Sequence, residues 1–385
     1  MPRKKAANGA GTIRKRPDGR FEARVTIGKD PATGKQKQKS IYGWSQEEVR
    51  KKMQKLCVSV DDGTFTEPSK LTVGKWEDIW HAEFLGNVKS GTADNYKQII
   101  RIHIKPAFGA MKLNALQAPL IQKMYNEKQK AGLASKTIRN IHGVLTASLS
   151  QAMALGYIPT NPASVCKPPR VEKAEMLPLD MPEASIFLGA CKEHRLAILY
   201  NAAMLTGMRE GELLGLQWRC VDFERGTIRI DKQLLRPRKK GETYRFGSPK
   251  NGKERTITPA PSIMEMLKEL KLVQKKQRLK AGDMWYDGAL SDLVFTDELG
   301  CYLKYHTVLD NFKALLKCAG LEERRFHDLR HTYAVLSLLS GIDPKSVSAT
   351  LGHATVAFTL DRYSHFTETM QKQSAEKMEA LFRTL

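Results

Sequence analysis

Two stretches with the composition of linkers divide the sequence and limit the folds that it can adopt. They are residues 61–72 and residues 164–178, the second of which contains Pro168-Pro169 among mixed charges. The segments between them have different residue patterns, and 385 residues are enough for two or three domains. We therefore expect an α+β, multidomain protein with domains at 1–62, 72–165 and 179–385.

Residues 1–62 predict a small three-stranded sheet backed by one helix. Apolar and polar residues alternate over 21–27, which is the period of a half-buried strand. Ser45, followed three residues later by Glu48, has the pattern of a capping box at the start of a helix. A sheet of this size that carries many basic side chains is suited to lie in a DNA groove.

The positive charge is concentrated in the first segment. The whole chain has 63 Lys and Arg against 41 Asp and Glu, a net charge of +22, and residues 1–55 carry 16 basic against 5 acidic side chains. Such an excess favours an extended polyanion as partner, although a solvated charged sheet is the alternative. The predicted DNA contacts here are Arg14, Lys15, Arg16, Arg20, Arg24, Lys37 and Lys39.

The second and third segments are mainly helical. Apolar stripes at helical spacing predict an all-α domain over 72–165, where Lys97 and Arg139 could bind phosphates or simply face solvent. The third segment adds short strands, and Asn251-Gly252 predicts a two-residue hairpin within a small antiparallel sheet. A basic loop over 233–247 supplies further predicted backbone contacts. These are Arg236, Arg238, Lys239 and Lys240.

Four short motifs in the third segment suit chemistry on a phosphodiester. Arg209 follows Thr206-Gly207, His327 and Arg330 form H-x-x-R, His353 ends a Leu-Gly-His triplet, and Tyr363 follows. Arginines can bind the non-bridging oxygens with paired, permanently charged donors, and a tyrosine can act as a covalent nucleophile.

Each of these residues has a less specific interpretation. His327 and His331 have the i, i+4 spacing of zinc ligands, but Asp328 stands where a metalloprotease requires Glu, and Arg330 would repel a cation. Tyr333 or Tyr305 could replace Tyr363 as the nucleophile if spacing were ignored. The six cysteines are widely scattered, which indicates free thiols of a reducing cytoplasm.

The order and spacing of these motifs resemble the tyrosine recombinase, or phage integrase, family, most of all the integrases of conjugative transposons. The resemblance covers essentially the whole chain and implies an arm-type DNA-binding domain, a core-binding domain and a catalytic domain in that order. It implies that Arg209, His327, Arg330, His353 and Tyr363 are catalytic, with Tyr363 as nucleophile. It further implies that Lys250 is the general acid, with Lys253 as a rival, and that Glu212 orients Arg209.

The resemblance predicts a site-specific recombinase that integrates and excises a mobile element through a 3′-phosphotyrosyl intermediate. We expect no metal or ATP requirement, a cytoplasmic location and no membrane partner. Expected partners are double-stranded DNA with core-type and arm-type sites, three further copies that exchange C-terminal helices, a directionality factor and a host DNA-bending protein. Alternatives are a type IB topoisomerase-like enzyme, a metal-dependent transposase and a non-catalytic DNA-binding regulator with this fold.

Overall fold

A computed structural model describes most of the chain in two compact units, residues 1–173 and 174–385. The described residues are 13–29, 34–61, 71–172, 176–237, 241–249, 252–353, 355–363, 378–379 and 382–383. The predicted Lys250, Arg238, Lys239 and Lys240 lie outside them. Helices and small antiparallel sheets coexist, which confirms the predicted α+β class.

The first unit begins with the predicted basic sheet. Its strands are β1 (Ile13–Lys15), β2 (Phe21–Lys29) and β3 (Gln36–Gly43), in the antiparallel order β1-β2-β3, and helix α1 (Gln46–Asp61) follows. The Ser45 Oγ accepts the Glu48 amide at 3.1 Å, and the Glu48 carboxylate accepts the Trp44 amide at 3.0 Å. Ala23, Val25 and Val49 are buried between the sheet and the helix, as the alternation predicts.

The rest of the first unit is helical, as predicted. The helices are α2 (Val73–Glu83), α3 (Ser90–Ile99), α4 (Lys105–Phe108), α5 (Ala118–Lys130) and α6 (Ser135–Ala154). Their apolar stripes form one core that includes Trp76, Tyr125 and Leu145. The Trp76 indole Nε1 donates to the Ser148 carbonyl at 3.1 Å, which satisfies the one polar atom that this ring buries.

Pro106 does not end a helix, although the usual effect of a proline on a helix predicts that it should. A π-helical stretch, Ile100–Ile104, joins α3 directly to α4, and Pro106 lies in the first turn of α4. Because α3, the π-helical stretch and α4 are continuous, Pro106 removes one backbone donor from the middle of a helical run. The π-helical widening allows the chain to continue past the proline.

Among its described residues, the second unit has eight α-helices with defined bounds, two short 3₁₀ helices (Trp218–Cys220 and Gly282–Met284) and five short strands. The helices are α7 (Met181–Cys191), α8 (Ala197–Thr206), α9 (Glu210–Leu214), α10 (Pro261–Ala281), α11 (Tyr305–Cys318), α12 (Phe326–Leu339), α13 (Pro344–Leu351) and α14 (Val356–Tyr363). The strands are β4 (Val221–Asp222), β5 (Thr227–Ile230), β6 (Gln233–Leu235), β7 (Arg245–Gly247) and β8 (Arg255–Ile257).

The strands on either side of Asn251-Gly252 do not pair with each other, so the predicted hairpin is wrong. β8 pairs with β5 in the sheet β4-β5-β8, whereas β7 pairs with β6 in a separate two-stranded ribbon. The Gly252 amide still donates to the Pro249 carbonyl at 2.8 Å, and Gly252 has a φ of +69°. The Asn-Gly signal therefore located a tight turn correctly, but turn chemistry alone does not decide which strands pair.

Two apolar clusters stabilise the second unit. The larger one joins helices α7 to α12 with the β4-β5-β8 sheet and includes Phe187, Tyr200 and Phe312. The smaller one holds Val335, Leu338, Val347 and Leu351 of α12 and α13 together with Tyr363. Within the described parts of the chain, no helix is long and apolar enough to cross a membrane.

Candidate active site

Arg209 is placed by a tight turn between two helices. Helix α8 ends at Gly207, which has a φ of +62°, and Arg209 is the N-cap of α9. A Cβ atom on Gly207 would lie 2.6 Å from both Leu351 and Tyr333, so any other residue there would force these side chains apart. The Thr-Gly dipeptide before Arg209 therefore allows α8 to pack closely against the end of α13.

Glu212 connects Arg209 to a second arginine. The Glu212 side chain is fully buried and accepts a hydrogen bond from the Arg209 Nη1 at 2.7 Å. It also accepts two hydrogen bonds from Arg255, at 3.0 and 2.7 Å. Burial raises the pKa of Glu212, but the hydrogen bonds and charges of Arg255 and Arg209 outweigh it and lower the pKa to about 2. Glu212 is therefore an anion that holds two guanidinium groups.

Arg330 is buried on α12 and reaches two distant segments. Its Nη1 donates to the Gly207 carbonyl at 2.7 Å, and its Nη2 donates to the Leu351 carbonyl at 2.5 Å. Burial and the positive charge of Arg209 lower its pKa to about 9, so it remains cationic at neutral pH. The two arginines of the predicted clamp are therefore close enough to interact electrostatically.

The Leu-Gly-His triplet forms the left-handed end of α13. Gly352 has a φ of +63°, and Arg209 Nη2 lies 3.4 Å from its carbonyl oxygen. The next residue, His353, has its Nδ1 2.7 Å from the Thr359 Oγ1. Burial, followed by the charges of Arg330 and Arg209, lowers the pKa of His353 to about 4, so its imidazole is neutral at pH 7.

His327 stands one helical turn before His331 on α12. Its side chain is exposed, and its ring meets the ring of His331 edge-on at 4.9 Å. Desolvation, and then the charges of Arg330 and Arg209, lower the pKa of His327 below its usual value, so its imidazole is mainly neutral at pH 7.

Tyr363 is buried beside this cluster. Only 2% of the residue is exposed, and its ring packs with α12 and α13. Its hydroxyl lies 2.8 Å from the Nδ1 of His331. The other two tyrosines have different surroundings: the Tyr305 hydroxyl donates to the Leu234 carbonyl at 2.5 Å, and Tyr333 packs against Gly207.

The structure thus brings together five of the six predicted catalytic residues and Glu212. Lys250 lies outside the described residues, and its rival Lys253 is exposed. The sequence did not indicate two features of the site. These are the hydrogen bonds of Arg255 to Glu212 and the contact of His331 with Tyr363. The H-x-x-R-H spacing could have indicated His331, because residues four apart share a helix face.

The described residues hold no group of three or more His, Cys, Asp or Glu suited to a metal ion. His327 and His331, the pair considered as zinc ligands, lie beside Arg330 on one helix. The six cysteines, all within the described residues, are free thiols.

The basic residues predicted to bind DNA lie on several elements. Arg14, Arg24 and Glu22 share the outer face of the first unit's sheet, and the two arginines are more than half exposed. The Glu22 carboxylate accepts Arg14 at 2.7 Å and Arg24 at 3.2 Å, so it fixes the direction of both guanidinium groups. Lys97 on α3, Arg139 on α6 and Arg236 after β6 are exposed.

Comparison with known proteins identifies the class. The model of the phage integrase family matches residues 179–370, and that of the phage integrase N-terminal SAM-like domain matches residues 72–129. The chain therefore belongs to the phage integrase family. The predicted enzyme class, a tyrosine-type site-specific recombinase, is confirmed with it.

Individual relatives agree in length as well as in sequence. The chain is 29% identical over 377 residues to a XerC-like tyrosine recombinase of Caldanaerobacter subterraneus, covering 94% of this chain and 96% of that protein. It is 23% identical to the ICEBs1 integrase of Bacillus subtilis, covering 96% of this chain and all of that protein. A structure of the Tn1549 transposon integrase in complex with a circular intermediate DNA has the same fold, with a TM-score of 0.67 at 21% identity, over 80% of this chain and all of that one. The expected likeness to integrases of conjugative transposons is thereby confirmed.

Proposed function

We propose that this recombinase integrates and excises a mobile element by attack of Tyr363 on a DNA phosphate. The Tyr363 oxygen bonds to phosphorus, the 5′-oxygen leaves, and a 3′-phosphotyrosyl ester results. The freed 5′-hydroxyl of a partner strand then reverses the step. Because the ester conserves the bond energy, neither ATP nor a metal ion is needed.

The observation that carries this proposal is the meeting of three distant segments around two arginines. Arg330 donates hydrogen bonds to the carbonyl oxygens of Gly207 and Leu351, and the Arg209 guanidinium lies near the carbonyl oxygen of Gly352. Charge develops on the non-bridging oxygens during attack, and fixed cations in a partly dry site stabilise it strongly. Arg209 and Arg330 would supply this stabilisation, while Glu212 keeps Arg209 in place.

The two neutral imidazoles have different proposed roles. His353 would donate a hydrogen bond to a phosphate oxygen, and its Nδ1 contact with Thr359 fixes the ring plane. His327 would contact the phosphate or a proton in transit. The general acid for the 5′-oxygen would be Lys250, because it precedes the Asn-Gly turn at the family position.

Duplex DNA is the proposed substrate and partner. We assign residues 1–62 to arm-type sites, 72–165 to core-type sites and 179–385 to the reaction. On the sheet of the first domain, the Glu22 carboxylate holds Arg14 and Arg24 in one orientation, which lowers the ordering cost of binding. The relative from Tn1549 was captured on circular intermediate DNA, which suits a similar substrate here.

Exchange of strands between two duplexes requires four active sites, so the proposed assembly is a homotetramer. A directionality factor and a host DNA-bending protein are the further proposed partners.

The test is covalent capture on a nicked suicide duplex. The duplex carries the core sequence that the full chain selects from a random pool, and the reaction contains EDTA. We expect a covalent protein–DNA adduct with the native chain and none with Tyr363→Phe, while Tyr305→Phe keeps the adduct. No adduct with the native chain, or a requirement for magnesium, would contradict the proposal and favour a regulator or a metal-dependent transposase, respectively. Resealing without strand exchange between two duplexes would instead favour the topoisomerase-like alternative.

A further inference from the structure

We propose that His331, and not only the H-x-x-R residues, is a catalytic residue, which accepts the proton of Tyr363 as the nucleophile attacks. The inference rests on the proposed function, because it adds a role to the same active site. In the sequence, His331 is considered only as a partner of His327 in a zinc site. In the structure, the His331 Nδ1 lies beside the hydroxyl oxygen of Tyr363, the proposed nucleophile.

The contact has the geometry of a hydrogen bond between a nucleophile and its base. The Tyr363 hydroxyl lies 2.8 Å from the His331 Nδ1, within the range expected for a general base and its proton donor. The two rings meet at 64° with centroids 5.8 Å apart. Both residues are buried, with 5% of His331 and 2% of Tyr363 exposed, so water competes little for this hydrogen bond.

The helix also places His331 next to the phosphate clamp. Arg330 and His331 are consecutive on α12, and His327 lies one turn earlier with its ring against that of His331. Asp328 carries a charge on the same helix, with a pKa lowered, against burial, by Arg325 and in part by His331. A proton taken up by His331 would therefore have an anionic neighbour, which offsets part of the repulsion from Arg330.

The proposed step conserves atoms and charge. In the tautomer with its proton on Nε2, His331 accepts the Tyr363 hydroxyl through Nδ1. As the tyrosine oxygen bonds to phosphorus, the proton moves to Nδ1 and the imidazole becomes a cation. The bond from phosphorus to the 5′-oxygen breaks, and that oxygen takes a proton from the general acid. On resealing, His331 returns its proton to the departing phenolate.

The experiment separates activation of the nucleophile from protonation of the leaving group. Single-turnover adduct formation is measured with full-length His331→Ala, His331→Gln and Lys250→Ala on the selected duplex. A second duplex carries sulfur in place of the bridging 5′-oxygen, because a thiolate with a pKa near about 8.5 leaves without a proton donor. His306→Ala, at an exposed histidine of α11 outside the proposed active site, is the matched control.

We expect His331→Ala and His331→Gln to form the adduct about 10²-fold more slowly, the usual contribution of a general base. Sulfur substitution should restore Lys250→Ala but not the two His331 variants. Added imidazole should restore His331→Ala, since it can enter the space of the missing ring, whereas a purely structural role predicts no such rescue. His306→Ala should form the adduct at the native rate with or without imidazole.

Three results would overturn the assignment: His331→Gln within about threefold of the native rate, full recovery of the His331 variants by sulfur substitution, or no imidazole rescue of a folded His331→Ala. If His331→Ala fails to fold, His331→Gln decides the matter, because its amide can hold a hydrogen bond but cannot take the proton. Failure here would leave the Tyr363-dependent adduct intact, whereas failure of the proposed function would abolish it in the native chain.

Discussion

At the scale of single residues, the site depends on one buried anion. Glu212 shares its two oxygens between Arg209 and Arg255, and Arg255 also donates its Nε to the Thr350 carbonyl at 2.8 Å. Removing one member of a buried ion pair leaves a desolvated charge without compensation. Glu212 therefore contributes to folding and to the position of the first catalytic arginine at once.

We expect Glu212→Gln to lower the free energy of unfolding by about 3–5 kcal/mol and to slow adduct formation. Urea unfolding of the full chain, with the suicide-substrate rate, measures both. The matched control is Glu210→Gln on the same helix, where burial raises the pKa to about 7 and the charge matters less. Equal stability of the two variants would show that the Glu212 charge does not hold the arginines.

The sequence revealed much of the site at this scale, but not all of it. Residue type, motif order and the family resemblance predict Arg209, Arg330, His353 and Tyr363 as site residues, and the structure places the two arginines and His353 near one another. The pairing of Glu212 with Arg255 joins residues 43 positions apart and depends on how β8 packs, which no local pattern encodes. The contact between His331 and Tyr363 depends likewise on the folding back of α14.

At the scale of elements, helix α2 contains a buried acid that the site does not use. The Glu77 side chain lies in the helical core of the first unit and accepts the Ser148 Oγ of α6 at 2.7 Å. Burial raises its pKa to about 7, despite the hydrogen bond from Ser148. The folded state therefore binds a proton that the unfolded state, with an ordinary pKa near 4.5, has already released at neutral pH.

This raised pKa gives a pH-dependent stability of known sign. The contribution of Glu77 is fully present below pH 4.5 and is lost as the pH rises through about 7. We expect Glu77→Gln, a permanently uncharged analogue, to stabilise the chain relative to native by roughly 2 kcal/mol more at pH 8 than at pH 5. Thermal and urea unfolding at both pH values measure the difference. The exposed neighbour Asp78→Asn is the control, and a Glu77→Gln effect that does not change with pH would refute the shift.

Elements were easier to predict than their connections. The spacing of apolar residues and the capping pattern predicted β2, α1 and the helical core, because both signals are local in the sequence. Strand pairing around Gly252 and the passage of the helix through Pro106 depended instead on distant partners and on a π-helical stretch. The failures therefore occurred where tertiary packing decides between two locally acceptable structures.

At the scale of the whole molecule, we expect the C-terminal residues to link subunits. Ala375, Met378, Leu381 and Phe382 have the spacing of an apolar helical stripe. Ala375 and Leu381 lie outside the described residues, whereas Met378 and Phe382 are 56% and 67% exposed. Exposed apolar side chains in a row are typical of a surface that another chain covers.

Replacing two residues of this stripe should separate cleavage from strand exchange. We expect Leu381→Glu with Phe382→Glu to lower the yield of exchanged duplexes by at least about tenfold, the effect of losing an interface anchor. DNA binding and the single-duplex adduct should persist. Sedimentation of the DNA complex should show fewer bound chains. Gln371→Glu with Gln373→Glu, which adds the same two negative charges, serves as the charge control. An unchanged complex mass and yield would mean that the tail packs on its own domain.

The two backbone contacts of Arg330 have a practical consequence for anyone dissecting this enzyme. Arg330 links the turn at Gly207 to the end of α13 at Leu351 through two hydrogen bonds. It therefore stabilises the local fold in addition to supplying a positive charge. Arg330→Ala would remove both hydrogen bonds and disturb the backbone around Gly207 and Leu351. Such a variant would therefore not be a correctly folded but inactive recombinase. Tyr363→Phe keeps the ring contacts and removes only the hydroxyl oxygen. It is the better variant when an inactive subunit is needed in an assembly that also contains native subunits.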